Sequence, residues 1–429
     1  MNKIYSQIKF GTDGWRGIIA DNFTFENVKI VSQAIADYYK RHLPTDNIVF
    51  AIGYDTRFLS REFARTVAEV LRDKGIKVLL SDRALPTPAV SFAVKSKKIT
   101  AGIVITASHN PYCYNGIKIK TSSGGSAGSE ITSEVEKLLL PYCRPQTPQK
   151  GEIVYCDFIR GYINFLRSYI DLKVLKKARF RVLVDTMYGS GNGLIAHVLR
   201  DSKIKFEFLH QEYNPSFGGY QPEPIPENLK DSISRMKKGR FDVGLVFDGD
   251  ADRIAAIGEN GGFISPQKIL GLLLLHLRED RNMKGAVVKT ICGSSLLDKI
   301  AAALKMELLE TPVGFKHISN LMTSRDVLIG GEEAGGIGFK NYIPERDGML
   351  AGILLLEMMI YRKKSLDELI GEMEKRFGRY YYVKDSIELR KVRNFRIDNL
   401  KGIDRILNNL SLIHISEPTR PLYISYAVF

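Results

Sequence analysis

The chain of 429 residues is short of several things, and each shortage closes a class of explanation. It has four cysteines, Cys113, Cys143, Cys156 and Cys292, far apart and with no CxxC pair. That excludes a disulfide framework or a cysteine metal site and points to reduced thiols in a cytoplasmic protein. No apolar run approaches the ~20 residues of a membrane helix; residues 269–275 are the greasiest stretch and read as a core helix. The first ten residues lack an apolar h-region, so no signal peptide is expected. Lysine and arginine exceed aspartate and glutamate by 62 to 48, a net charge of +14. Yet no basic block is long enough for a nucleic-acid arm, and the cations are scattered as on solvated helix faces. Small anions are therefore the expected partners, with no nucleic acid and no membrane.

What is present is an ordinary globular composition, 44% apolar and 26% charged. At ~150 residues per domain the length suggests about three domains. The chain is organised around Thr106-Ala107-Ser108-His109-Asn110-Pro111. A β-branched run feeds this segment and Pro111 stops regular structure, so a hydroxyl sits on a loop at a strand end. Asn115-Gly116 reads as a turn leading into Ile117-Lys118-Ile119-Lys120, whose alternation sends both lysines to one side. A serine framed by an imidazole and a lysine suits a group that carries phosphate.

Earlier in the chain, Phe10-Gly-Thr-Asp-Gly-Trp-Arg-Gly17 sets three glycines around Arg16 and the sole tryptophan. On such a loop Arg16 could offer a planar fork to a phosphate. Residues 26–41 read as a helix from the spacing of Val28, Val31 and Ile35. Strands are expected at 48–52 and 76–80, with a helix between them capped by Ser60. Residues 121–129, rich in Ser and Gly, read as a mobile loop, and the proline-rich 141–151 as a domain boundary. This alternation of strand and helix argues for a mostly parallel, helix-flanked sheet, with function at the carboxyl ends of strands, where Asp55 and Ser108 sit.

The pattern then restarts. A strand at 180–184 runs into Gly189-Ser-Gly-Asn-Gly193, better read as packing glycines than as a nucleotide loop. A buried strand at 243–247 enters Asp248-Gly-Asp250-Ala-Asp252-Arg253. Three carboxylates at i, i+2 and i+4 repel one another unless a cation sits among them, and hard oxygen ligands in that number suit magnesium. An EF-hand is rejected, because Arg253 stands where that loop needs glycine and a strand precedes it.

A third restart has strands at 286–290, 307–309 and 327–329. Lys289 sits at a strand end, while Gly314 and Lys316 open a helix, positions suited to an anion. Residues 330–336, Gly-Gly-Glu332-Glu-Ala334-Gly-Gly, place a doubled carboxylate in glycine-flanked backbone suited to vicinal sugar hydroxyls. Three strand–loop–helix units with polar strand ends read as a triplicated α/β arrangement.

Four motifs, FGTDGWRG, TASHNP with YNGIK, DGDADR and GEEAGG, together resemble the α-D-phosphohexomutase family over about residues 10–381. The resemblance implies three tandem related α/β domains with mixed sheets around a central cleft (1–150, 151–262 and 263–378). A partial C-terminal α+β domain (379–411) and a foreign-looking tail (412–429) would follow. By motif position Ser108 is similar to the phosphoserine, completing with Asp248, Asp250 and Asp252 a magnesium site. Arg16 and Lys118 match positions of proton transfer and phosphate contact, and His109 and Arg253 match residues lining the phosphoryl site. Glu332 matches the sugar-binding glutamate.

The implied reaction interconverts glucose 1-phosphate and glucose 6-phosphate, with glucose 1,6-bisphosphate as intermediate and activator. A lysine of depressed pKa near the metal would serve as base. GFK and GEE-x-GG resemble the glucose-directed members, although Ala334 replaces the usual serine. Phosphomannomutase, phosphoglucosamine mutase and a non-catalytic sugar-phosphate-binding remnant are the alternatives. The phosphate-clamping RxSGTEP-like loop is absent, and Ser416-Glu417-Pro418 does not replace it. A monomer or weak dimer in the cytoplasm is expected.

Overall fold

The computed structural model describes residues 8–43, 47–143 and 151–381, with the short antiparallel pair Ile413–His414 and Ser425–Tyr426. The expected partial fourth domain and tail beyond residue 381 otherwise lie outside the described residues, as does most of the expected boundary at 141–151.

Three sheets carry the architecture, and all three are mixed. The first has seven strands, in the order Phe10–Gly11, Gly14–Ile18, Tyr114–Lys120, Ala101–Ile105, Val49–Tyr54, Lys77–Ser81 and Ile153–Cys156. Its last four run parallel, and Tyr114–Lys120 is antiparallel to both of its neighbours. Ile153–Cys156, expected at the start of the second domain, is instead the edge strand of this first sheet. The second sheet orders Phe263–Ile264, Ile254–Ile257, Val243–Phe247, Arg181–Asp185 and Lys205–Leu209. The third orders Leu308–Thr311, Ala286–Thr290, Val327–Gly331 and Ile337–Phe339.

One feature repeats in all three. A strand from the parallel part of each sheet turns through a polar loop into an antiparallel neighbour: Ala101–Ile105 into Tyr114–Lys120, Val243–Phe247 into Ile254–Ile257, and Val327–Gly331 into Ile337–Phe339. Those three loops hold the serine motif, the three aspartates and the doubled glutamate. The triplication expected from the strand–loop–helix repeats is therefore present in the topology.

Local sequence explains most of the elements. Phe25–His42 is capped by the Thr24 hydroxyl, which accepts from the Asn27 amide, and carries Glu26 in its first turn and Lys40, Arg41 and His42 in its last. That arrangement complements the helix dipole. Its Val28, Val31 and Ile35 are buried, as their spacing requires. Pro266–Leu275 and most of Gly348–Arg362 are buried on all sides, so they are core helices. One continuous apolar cluster reaches from Ala51 and Val90 through Val182 and Leu245 to Val287 and Leu354, joining the three units. No helix among the described residues is long and apolar enough to cross a membrane.

Three local expectations fail for physical reasons. Ser60 begins its helix but does not cap it: Leu59 holds the cap position, and the Ser60 hydroxyl donates to Asp55 Oδ1 at 2.7 Å. Asn115-Gly116 is no turn but lies within a strand, opposite Gly17 and Arg16. A Cβ on Gly116 would lie 2.6 Å from the Thr106 carbonyl and 2.7 Å from that of Trp15, so the glycine serves backbone approach. The 121–129 segment is a packed turn, closed by Thr121 N to Gly125 O and Ala127 N to Ile119 O, with Gly124 to Gly128 buried.

Candidate active site

The serine loop is held from below by one arginine. Arg57 is buried at the end of Val49–Tyr54, and its guanidinium donates to four carbonyls, those of Ser108, Asn110, Pro111 and Tyr114, at 2.6–3.0 Å. Asp55 Oδ2 lies 3.2 Å from Arg57 Nε and accepts the Thr106 hydroxyl at 2.6 Å. Thr106 Oγ1 in turn accepts the Ser108 amide at 2.8 Å. Burial pushes the Asp55 carboxyl up despite the Arg57 charge and these hydrogen bonds. The result is Ser108 fixed at φ 53°, a left-handed conformation that a non-glycine residue keeps only when its surroundings impose it.

Ser108 Oγ donates to Asp248 Oδ2 at 3.1 Å and lies 3.4 Å from His109 Nδ1. Gly249 permits this meeting, because a Cβ there would lie 2.7 Å from the Ser108 carbonyl oxygen. The aspartate loop is gripped by backbone from the other units as well: Thr87 N donates to Asp250 O, Gly348 N to Ala251 O, and Ile254 N to Gly335 O.

Asp248, Asp250 and Asp252 are all buried, and each offers an oxygen within 4.8 Å of the others. Burial, and then the charges of Asp252 and Asp250, push the Asp248 carboxyl well above the usual range. Asp250 Oδ1 and Asp252 Oδ1 have no hydrogen-bond partner. Mutually repelling carboxylates with unsatisfied buried oxygens are what a hard divalent cation would neutralise, so the donor set fits one.

The remaining oxygens face cations. Lys118 Nζ lies 2.8 Å from Asp250 Oδ2, 3.1 Å from Asp252 Oδ2 and 2.9 Å from Asp13 Oδ2. Burial alone would lower its pKa, but the three carboxylates outweigh that and hold the ammonium well above its ordinary value. A lysine of depressed pKa is expected near the metal; the carboxylates around Lys118 shift this lysine in the opposite direction. The neighbouring Lys120 pairs with Glu345 and donates to Ser126 at 2.8 Å. Both lysines do share one side of the strand.

Arg346 is the hub that sequence reading missed. It contacts Asp13 at 2.5 Å, Asp252 at 2.9 Å, Glu332 at 3.1 Å and Glu345 at 3.4 Å, and lies over the Phe315 ring at 5.4 Å. It thereby ties the N-terminal glycine loop, the aspartate loop and the doubled-glutamate loop together. Asp13 itself would be raised by burial, but Lys118 and Arg346 bring it well below the usual carboxylate value. Glu332 is raised by burial, with Arg346 opposing.

The other expected residues divide. Arg16 donates to Asn110 Oδ1 at 2.6 Å, placing its guanidinium at the serine loop. Arg253 donates its amide to Asp248 Oδ1 at 3.0 Å, and its side chain lies 3.9 Å from both Asp252 and Glu223. Gly314, at φ 119°, faces the Thr12 side chain beside Asp13 and precedes the Phe315 that underlies Arg346. Lys289 is not brought to the cluster; its ammonium pairs with Asp298 at 2.5 Å and Glu310 at 3.6 Å. Lys316 is half-buried next to His317, whose pKa is lowered by burial and then by the Lys316 charge. Ala334 sits half-buried in the tight turn before Gly335. Besides Arg346, Thr87 was missed; its hydroxyl donates to Asp250 Oδ2 at 2.6 Å. The one sequence signal for the hub was a charged run, Glu345-Arg346-Asp347, directly before an apolar helix.

A serine poised on a carboxylate, a triad of aspartates with unsatisfied oxygens and a doubled glutamate, drawn from equivalent loops of three α/β units and walled by Arg16, Lys118 and Arg346, define a phosphoryl-transfer enzyme of the phosphohexomutase kind. The chain belongs to the phosphoglucomutase/phosphomannomutase family: its α/β/α domains I, II and III match residues 7–141, 160–261 and 265–377. A Thermococcus kodakarensis phosphoglucomutase/phosphomannomutase is 32% identical over 433 residues, covering 96% of this chain and 92% of that one. A Campylobacter concisus phosphoglucosamine mutase is 29% identical, covering 94% and 89%. The crystal structure of a putative phosphomannomutase from Thermus thermophilus superposes with a TM-score of 0.84 at 31% identity, covering 98% and 95%.

Proposed function

We infer that this enzyme interconverts glucose 1-phosphate and glucose 6-phosphate, with Ser108 as the phosphoryl carrier and glucose 1,6-bisphosphate as intermediate and activator. The observation that carries the reading is the Ser108 hydroxyl bonded to Asp248 inside the aspartate triad. Asp248, Asp250 and Asp252, with the phosphorylated Ser108, would hold magnesium. When bound, magnesium supplies positive charge against the phosphoryl oxygens.

The chain's own residues do the rest. Arg57 and Thr106 keep the Ser108 oxygen at one position, so the phosphoryl group is presented in a fixed direction. Lys118, Arg16, His109 and Arg253 surround that group with donors and positive charge. Glu332 offers its carboxylate to sugar hydroxyls, with Gly314, Lys316 and Ala334 bordering the sugar; Lys289, held by Asp298, is left out of the assignment. The sugar hydroxyl oxygen bonds to phosphorus as the Ser108 Oγ–P bond breaks, and the hydroxyl's proton ends on the departing Ser108 Oγ, which again donates to Asp248. The bisphosphate then turns round and returns its other phosphoryl group to Ser108, which restores the enzyme.

The glucose preference rests on the GFK and GEE-x-GG sequences. The similarity to a phosphoglucosamine mutase keeps glucosamine 1-phosphate as the second reading, alongside mannose 1-phosphate. A coupled assay with magnesium and catalytic glucose 1,6-bisphosphate separates them. Glucose 1-phosphate should give the highest kcat/KM of the three, and Ser108→Ala should abolish turnover of all. Turnover surviving in Ser108→Ala would overturn the carrier assignment, and a higher kcat/KM for either rival would overturn the glucose assignment.

A further inference from the structure

The second sheet has two ends, and only one of them belongs to the site described above. Arg181–Asp185, Lys205–Leu209 and Val243–Phe247 run parallel, so all three enter the sheet from the same edge. Val243–Phe247 is five residues long, which sets that edge ~17 Å from Asp248. Each strand entry is cationic: Arg179 and Arg181 at the first, Lys203 and Lys205 at the second, Lys238 and Arg240 ahead of the third. All six side chains are exposed. In the sequence these cations are scattered; the parallel register gathers them into one rim.

Among the described residues the rim keeps an excess of positive charge. Among the described residues none of the six has an ion-pair partner. Two nearby carboxylates are paired with other cations, Glu207 with Arg235 and Asp201 with Arg167, while Asp242 sits at the rim itself and accepts the Arg181 amide at 2.6 Å, one negative charge among six positive ones. Glu259, exposed in the turn beside Lys237, and Asp367, which accepts from Asn260 in that turn, lie at the end of the neighbouring antiparallel strand. Arg181 and Lys205 stand directly opposite each other in register, a like-charge pair that costs stability unless an anion is shared between them. Beside them lies a cavity of about 230 Å³ lined by Arg181, Lys205, Phe206, Glu207 and Phe241. The Phe241 ring is part of its lining, with the Arg181 and Arg235 guanidinium groups 5.3 and 4.9 Å from the ring centre.

We propose that this edge of the second sheet is a docking surface for a linear inorganic polyphosphate, one phosphate seated between Arg181 and Lys205 and its neighbours running along the rim. The chemistry favours this occupant over other polyanions. Single-stranded nucleic acid is gripped by stacking its bases on exposed aromatic rings, and none of the exposed large apolar side chains lies in these segments. The same lack leaves nothing to insert into an anionic membrane. Closely spaced phosphates need only closely spaced cations, and strands ~4.8 Å apart supply them.

The test uses the full chain and a fluorescent long-chain polyphosphate, followed by anisotropy with saturating glucose 1,6-bisphosphate present to block the catalytic cleft. Binding should persist under that block and weaken steeply as salt is raised, as expected when several cations release counterions. The double variant Arg181→Glu/Lys205→Glu should lose on the order of tenfold or more in affinity, with glucose 1-phosphate turnover unchanged. Should that pair disturb folding, Lys203→Glu/Arg240→Glu, further from the cavity, should show the same loss. Displacement by the bisphosphate, unaltered affinity in folded charge-reversed variants, or tighter binding to a single-stranded oligonucleotide or phosphatidylserine vesicles would each overturn the proposal.

Discussion

Replacing Arg57 by methionine tests how the serine loop is held. The side chain is completely buried, so a methionine of similar length leaves no large void, and the loss is electrostatic. Four loop carbonyls lose a charged donor, and Asp55 loses its counter-ion. Breaking a buried pair on one side costs ~3–5 kcal/mol, and the stranded carbonyls add to it. Against a whole-domain stability of ~5–15 kcal/mol, that is a large share. A chain of three units need not unfold in one step, so the readout is the midpoint of the first urea transition, which should fall clearly. Asp55, already raised by burial, would rise further, so the defect should shrink as the pH is lowered. Activity should fall on the order of 100-fold, because Ser108 at φ 53° is no longer imposed. Arg57→Lys keeps the charge without the planar fork and should be intermediate in stability. An unchanged first transition together with unchanged kcat in Arg57→Met would refute the reasoning.

Three further outcomes follow from other parts of the molecule. His276 is buried between Asp280 at 2.9 Å and Glu357 at 3.0 Å. Burial would lower its pKa, but the two carboxylates raise it above the ordinary 6.5. Its stabilising contribution is complete below about pH 6.5 and is lost as the pH rises through the raised value, so thermal midpoints should fall there and the slope should flatten in His276→Gln. Gly116→Ala places a methyl against two carbonyl oxygens and should destabilise by ~3 kcal/mol or more, seen as a lower melting temperature and poor soluble yield. Magnesium should raise the melting temperature of the native chain in a concentration-dependent way, and Asp252→Asn should blunt that response while the apo form stays folded.

What could be read from the sequence was whatever sat on consecutive residues. The aspartate loop was legible because i, i+2, i+4 spacing carries its own electrostatic argument. Ser108 was legible because a β-branched run and a proline bracket it. The same-side placement of Lys118 and Lys120 followed from strand alternation alone. Arg346 was not legible, since three of its four carboxylate partners, Asp13, Asp252 and Glu332, come from separate segments, and only folding brings them within reach. Arg57 was hidden similarly: its partners are backbone carbonyls, which no residue pattern announces. Local rules also lost to tertiary ones. Asn115-Gly116 has the composition of a turn, but the close approach of Thr106 and Trp15 uses the glycine inside a strand. Ser60 has the chemistry of a cap, but the buried Asp55 claims its hydroxyl. The three carboxylates that surround Lys118 were likewise concealed, because they are distant in sequence and close only in space.

The central claim is that Ser108 carries the phosphoryl group. It is tested most directly by incubating the protein with magnesium and glucose 1,6-bisphosphate bearing labelled phosphate, then mapping the label by peptide mass spectrometry. The account predicts label on the peptide containing Ser108, none in Ser108→Ala, and its discharge onto added hexose monophosphate. Full turnover with no label on Ser108, or label on another residue that discharges at the same rate, would contradict it.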